Sequence, residues 1–286
     1  MLWTVARGPP LWQHDLTMLQ RTQLPNGIDL AYQDIGTGPV VFLIHGHPLD
    51  HTMWQPQVEF LSPNYRVIVP ELRGYGVTPL PDGKRVTLLD DFAEDILALA
   101  NHLRIDRFVI VGLSLGGQVL LETLRQAPER IRALVLADTF ASLDTPDQKQ
   151  GRLDTADRFD REGFGNFATE SLHKMMTPAN AQTFPAVAQH IMRMVHDSNP
   201  HGAAAALRGR TVRRDYIPLL SQITVPSLII VGRHDAFTPV PLSEEMHRDI
   251  PGSKLEIIEG SGHMTNLERP DEFNSILGPF LASLPQ

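Results

Sequence analysis

Three polar residues of this 286-residue chain, Ser114, Asp235 and His263, have the types and surroundings for acyl transfer. A serine hydroxyl is a weak nucleophile until a base removes its proton, and the base needs a third group to fix its tautomer. Ser114 sits in Gly112-Leu-Ser-Leu-Gly116, between an apolar β-branched run and an apolar helical pattern that begins at Leu115. That order predicts a sharp strand-to-helix turn with the serine pushed out of the sheet. Gly112 and Gly116 leave no Cβ to clash in so tight a bend. The following helix aims its unpaired N–H groups and positive end at charge developing near Ser114. The five-residue string alone arises by chance in roughly one chain in ten of this length. Its strand-before, helix-after context carries the argument.

Asp235 and His263 are linked to Ser114 by the elements that precede them. A strand at Ser227–Val231 runs into Gly232-Arg-His-Asp235, and one at Leu255–Ile258 runs into Glu259-Gly-Ser-Gly-His263. Both therefore bring a side chain to the strand ends where open α/β sheets place their sites. Asp235 is the expected orienting carboxylate and His263 the expected general base. Two alternatives stand beside this assignment. Asp235 is also suited to a helix cap or turn before Thr238-Pro239, and Asp138, just after a strand at Ala133–Ala137, is a rival acid. His263 is one of 12 histidines, but Gly260 and Gly262 suit a loop that brings backbone close to another element.

Acyl transfer also needs donors for a tetrahedral oxyanion. The N–H of Leu115, directly after the serine, is one candidate. The N–H of His47 is the other, from His45-Gly-His-Pro48 after a strand at Val40–Ile44, with Gly46 letting the chain fold inward. His45 reads as a structural histidine bonded to nearby backbone. The His47 ring has two open directions, into a pocket or out to water.

The elements needed to hold these groups are legible in the pattern. Alternation at Ile28–Gln33 and apolar runs at Val40–Ile44, Tyr65–Val69 and Phe108–Val111 predict further strands. Helices are expected after Thr87, which caps one with Asp90 as its box partner, and at Leu115–Gln126, Leu242–Asp249 and Asp271–Ala282. Strand–helix alternation gives an α/β fold with a mostly parallel twisted sheet, helices on both faces and right-handed crossovers. The core is expected over residues 21–140 and 221–286, with a helical cap at 141–220 inserted over the sheet edge and an N-terminal extension at 1–20.

Composition narrows the classes. Apolar content of 42% and charged content of 20% are ordinary for a soluble globular enzyme, and a net charge of −8 argues against nucleic acid or an anionic membrane as a general partner. With no cysteine, disulfides, thiolate catalysis and Cys-based zinc sites are excluded. No stretch approaches about 18 apolar residues, and residues 1–15 lack a signal-peptide run. A cytoplasmic protein is the expectation.

The chain resembles the α/β-hydrolase superfamily from Thr22 onward. The resemblance rests on His45-Gly-His-Pro48, Arg73-Gly-Tyr-Gly76, Gly112-Leu-Ser-Leu-Gly-Gly117, Gly232-Arg-His-Asp235 with Thr238-Pro239, and Gly262-His263 with Glu268 and Pro270. It is similar to the branch of small carboxylesterases, enol-lactonases and cofactor-free haloperoxidase-like hydrolases, and Pro48–Trp54 and Arg214-Asp-Tyr216 point the same way. The resemblance implies the chain order serine, acid, histidine and a Ser-Asp-His hydrolase with neither cofactor nor metal. Glu71 departs from the aspartate common there, with little expected effect on chemistry. A serine at the nucleophile position, rather than a carboxylate, argues for attack on a carbonyl.

A carboxylesterase for short-to-medium acyl esters, working through an acyl-Ser114 intermediate, is therefore the leading expectation. The alternatives are a lactonase, such as an enol-lactone hydrolase, or a C–C bond hydrolase with the same triad, with perhydrolase activity on the side. A non-catalytic small-molecule receptor on the same fold is the rival from another class. The partner is a small-molecule ester or lactone. The cap residues Met175, Met176, Phe184, Ile191, Met192 and Met194 suit either cap core or an adaptable acyl pocket. Cap arginines such as Arg152, Arg158, Arg208, Arg210 and Arg213 suit either a solvated face or a substrate carboxylate.

Overall fold

The apolar runs become eight strands: β1 (Gln20–Gln23), β2 (Asp29–Ile35), β3 (Val40–Ile44), β4 (Arg66–Pro70), β5 (Phe108–Leu113), β6 (Ile131–Ala137), β7 (Ser227–Gly232) and β8 (Lys254–Ile258). The computed structural model describes residues 19–285. All eight strands join one sheet in the order β1-β2-β4-β3-β5-β6-β7-β8. The pairs β1–β2 and β2–β4 are antiparallel, and from β4 to β8 every neighbour is parallel. The chain passes from β3 to β4 on one side and returns to β5 on the other. That reversal opens a crevice at the strand ends where Ser114 lies.

β5 and β7 are buried along their whole length, as strands covered on both faces must be. Cover comes from α1 (Gln55–Leu61), α2 (Leu89–His102), α3 (Leu115–Gln126), α10 (Val240–Asp249) and α12 (Pro270–Ala282), with the short α11 (Thr265–Glu268) between the last two. Between β6 and β7 the described chain is helical: α4 (Pro146–Glu162), α5 (Phe167–Met175), α6 (Pro178–Thr183), α7 (Pro185–Asp197), α8 (Pro200–Thr211) and α9 (Ile217–Leu220). No helix among the described residues is long and apolar enough to cross a membrane.

Two expectations shift in detail. The extension at 1–20 falls on residues 1–18, outside the described residues, and then on Gln20, which already pairs with Tyr32 in β1. The helix expected to be capped by Thr87, with Asp90 as partner, is capped one residue later, at Leu88. Asp91, not Asp90, accepts the Leu88 N–H at 2.8 Å. The reason is tertiary: the Thr87 N–H is taken by Ala205 O of α8 at 3.0 Å, which holds Thr87 outside the helix.

That contact belongs to a wider docking. Ala203 to Ala206 of α8 are fully buried. A Cβ on Gly202 would stand 1.9 Å from Gly74 O, and one on Gly209 would stand 1.7 Å from Thr87 O. Only small residues let α8 lie so close to the backbone of the 74–88 segment.

Candidate active site

Ser114 adopts φ 56° and ψ −112°, a region that side chains rarely occupy. The turn persists because its surroundings over-determine it. The Ser114 N–H donates to Ala137 O at 3.0 Å, and the Thr139 hydroxyl donates to Ser114 O at 2.7 Å. A Cβ on Gly112 would meet Gly116 O at 2.3 Å, and one on Gly116 would meet Ile44 O at 2.1 Å. Backbone crowding, not φ, therefore demands both glycines.

Leu115 opens α3, and its N–H has no carbonyl within its own helix to bond. The loop after β3 comes alongside: a Cβ on Gly46 would lie 3.5 Å from Ser114 Cβ. His45 is fully buried, its Nδ1 2.9 Å from Gly46 O and its Nε2 accepting the Leu72 N–H at 3.0 Å. That is the backbone-bonded structural role expected of it. The His47 ring turns into the pocket wall, with Nδ1 2.8 Å from the Tyr75 hydroxyl and its face stacked towards Phe159. Burial, then the charges of Arg210 and Arg152, hold its pKa well below the ordinary histidine value.

Asp235 serves two purposes at once. Its Oδ1 accepts the N–H groups of Phe237 and Thr238 at 2.8 and 2.9 Å, forming the turn before Pro239. Its Oδ2 lies 2.8 Å from His263 Nδ1 and also accepts the Thr238 hydroxyl. Burial works to raise the Asp235 pKa, but the charge and hydrogen bond of His263 and the bonds from Thr238 bring it below the usual value. The Phe237 ring covers His263 edge-on at 5.0 Å between centroids.

The rival acid Asp138 does not take this place, although it lies close by. Its Oδ1 accepts the Gly232 N–H at 2.9 Å, and its Oδ2 accepts the Thr265 hydroxyl. Asp138, Asp235 and His263 bring their ligand atoms within 4.8 Å of one another, a spacing a metal ion could also use. Those atoms are already committed to one another and to Gly232, Thr238 and Thr265, so the chemistry of the cluster is that of a hydrogen-bond network. The sequence does not single out Glu268 for a role, yet it anchors the His263 loop. Its carboxylate accepts the Gly262 N–H at 2.7 Å, the Thr177 N–H at 2.9 Å and the Asn180 amide at 2.7 Å. Glu71 is likewise structural: buried, it meets His51 Nδ1 and accepts the Val77 N–H at 2.6 Å.

Ser114, His47 and His263 share one cavity of about 710 Å³, walled by α4, α5 and α8 and by Phe140 and Phe237. Of the methionines between β6 and β7, Met175 reaches this wall, while Met176 and Met194 are core residues of the helical layer. The arginines are largely consumed in pairs. Arg152 binds Asp144 through two nitrogens at 3.0 and 2.8 Å, Arg158 binds Glu170 at 2.7 Å, and Arg208 reaches Asp157 and Asp160.

A serine in a strained turn between a parallel strand and a helix, at the switch point of such a sheet, defines the α/β hydrolase class. The chain belongs to that family, whose model, described as the alpha/beta hydrolase fold, matches residues 39–270. It is 27% identical over 246 residues to 3-oxoadipate enol-lactonase 1 of Acinetobacter baylyi, covering 86% of this chain and 90% of that one. It is 28% identical over 245 residues to the pimeloyl-[acyl-carrier protein] methyl ester esterase of Nitrosomonas europaea, covering 84% and 94%. A thermophilic esterase from Thermogutta terrifontis, solved with malate bound, superposes with a TM-score of 0.89 at 37% identity, over 92% of this chain and 98% of that one.

Proposed function

We propose that the protein is a serine carboxylesterase that cleaves short-to-medium acyl esters through an acyl-Ser114 intermediate. The observation that carries this is the strained Ser114 backbone at the wall of a cavity shared with His263, whose Nδ1 faces Asp235. In this mechanism His263 Nε2 takes the hydroxyl proton as Ser114 Oγ attacks the ester carbonyl. Asp235 holds the Nδ1–H tautomer and stabilises the imidazolium that forms. The oxyanion sits between the N–H groups of Leu115 and His47, which need no reorganisation as charge develops. His263 then protonates the leaving alcohol, and a water activated by the same imidazole releases the acid. Residues 141–220 act as a cap that walls the acyl pocket.

A lactone is the same bond closed into a ring, and the likeness to an enol-lactonase favours including lactones among the substrates. The test is hydrolysis of p-nitrophenyl esters from acetate to dodecanoate, beside a neutral and an anionic lactone, with Ser114→Ala as blank. A peak at short or medium chains that vanishes in the blank is expected. Wild-type rates in Ser114→Ala would overturn the proposal.

A further inference from the structure

One guanidinium in the cavity wall stands apart from the other arginines there. Arg210, on α8, is 5% exposed and lines the cavity with Ser114 and His263. Its Nε donates to Gln118 Oε1 at 3.0 Å. Among the described residues, no carboxylate stands within ion-pairing distance of it. Its neighbours in the wall, Arg152 and Arg158, are each in an ion pair, with Asp144 and Glu170. Arg213 also leans on Asp144, at 3.7 Å, so three guanidiniums surround a single carboxylate. A buried charge without a counter-ion is costly, and the cost is relieved when a ligand supplies the anion.

Arg210 is tied to the helix that begins at the nucleophile. Gln118 lies one helical turn beyond Ser114 on α3, and its N–H donates to Ser114 O at 3.3 Å. A turn rises about 5.4 Å, so Arg210 is tethered through Gln118 to the first turn of the helix that follows the nucleophile. Both groups open on the same cavity. A planar guanidinium with free N–H groups is matched to a carboxylate, which it grips through two parallel bonds.

We propose that Arg210 binds a carboxylate on the substrate, so that the preferred substrates are half-esters or lactones of short dicarboxylic acids. Resting on the serine-hydrolase mechanism above, this names its substrate class. For a half-ester the balance is simple: water enters, the alcohol leaves with one proton, and a dicarboxylate is released. The carboxylate held by Arg210 takes no part in bond making.

The test pairs two esters of one alcohol and matched acyl length, the p-nitrophenyl half-ester of glutaric acid and p-nitrophenyl pentanoate. Wild type is expected to favour the anionic ester in kcat/KM by roughly 10- to 100-fold, as a charge-assisted hydrogen bond permits. In Arg210→Gln that ratio is expected to fall towards one. An unchanged ratio in Arg210→Gln overturns the proposal. Calorimetry of glutarate binding to Ser114→Ala, with glutaramide as neutral control, reads the same contact without turnover. Glutarate binding that glutaramide does not match supports the proposal even if Arg210→Gln does not fold, and equal or absent binding of both overturns it. Absence of any ester turnover by wild type would instead count against the hydrolase mechanism, and the glutarate measurement keeps the two failures apart.

Discussion

Asp138 and Gly232 are joined by a hydrogen bond of 2.9 Å that ties the end of β6 to the end of β7. The same carboxyl group takes the hydroxyl of Thr265, two residues past His263. One buried acid thus braces both chain segments that present Asp235 and His263. Burial, and then the charge of Asp235, push its pKa well above the ordinary aspartate value. An unfolded aspartate ionises near pH 4. Between that pH and the raised folded value, the folded state holds a proton that the unfolded state has lost. Stability from this group is therefore full below about pH 4 and is lost as pH rises towards the folded pKa.

Asp138→Asn keeps the shape but cannot ionise. Its unfolding free energy is expected to fall less steeply with pH than that of wild type, measured by urea denaturation from pH 5 to 8. Parallel slopes would refute the assignment. Asp138→Ala, which strands the Gly232 N–H and the Thr265 hydroxyl, is expected to cost about 1–3 kcal/mol.

Asp235 behaves in the opposite sense. Its lowered pKa keeps it ionised at neutral pH, so its contribution is lost only as pH falls through that depressed value. Asp235→Asn offers His263 Nδ1 an amide in place of an anion and favours the wrong tautomer. With known serine triads as guide, kcat for a p-nitrophenyl ester should drop about 10³- to 10⁴-fold, with KM changed only a few-fold. A loss confined to KM would show that Asp235 serves the turn before Pro239 and not the imidazole.

Gly116 allows a test of the turn itself. In Gly116→Ala the new methyl carbon would stand 2.1 Å from Ile44 O, and that backbone belongs to a central strand that cannot move aside. Destabilisation of about 1–3 kcal/mol, or more if the strand holds firm, is expected from urea unfolding. Gly151→Ala, inside α4 where a Cβ meets nothing within 4 Å, is the control and should raise stability by about 0.5–1 kcal/mol.

Most of the sheet was legible because β3, β5, β6 and β7 are covered on both faces and so read as continuous apolar runs. The strand ends then dictated where Ser114, Asp235 and His263 would emerge. β1, whose residues are mostly exposed, had no such run and went unseen. The start of α2 was misplaced because Thr87 answers to Ala205, more than a hundred residues away. No local pattern encodes that bond. The bracing roles of Asp138 and Glu268 were hidden for the same reason, since their partners come from separate strands and helices. Arg210 is set apart from the other arginines between β6 and β7 only by the pairing of its neighbours with Asp144 and Glu170, which sequence spacing does not encode.

Tyr75 supplies the last expectation. Its hydroxyl lies 2.8 Å from His47 Nδ1, while His47 Nε2 is buried with no partner among the described residues. Burial raises the Tyr75 pKa, so the phenol stays protonated and can donate to Nδ1 across the working pH range. The bond fixes the ring of the residue whose N–H is assigned to the oxyanion. Tyr75→Phe leaves the whole imidazole unanchored, at about 1–3 kcal/mol for the lost buried bond. If that loosening reaches the His47 N–H, its effect falls on the transition state and not on ester binding. The expected result is a fall in kcat of roughly 10- to 100-fold with KM nearly constant, read with a short-chain p-nitrophenyl ester. A rise in KM at constant kcat would place Tyr75 and His47 in the acyl pocket wall and would assign the second oxyanion donor elsewhere.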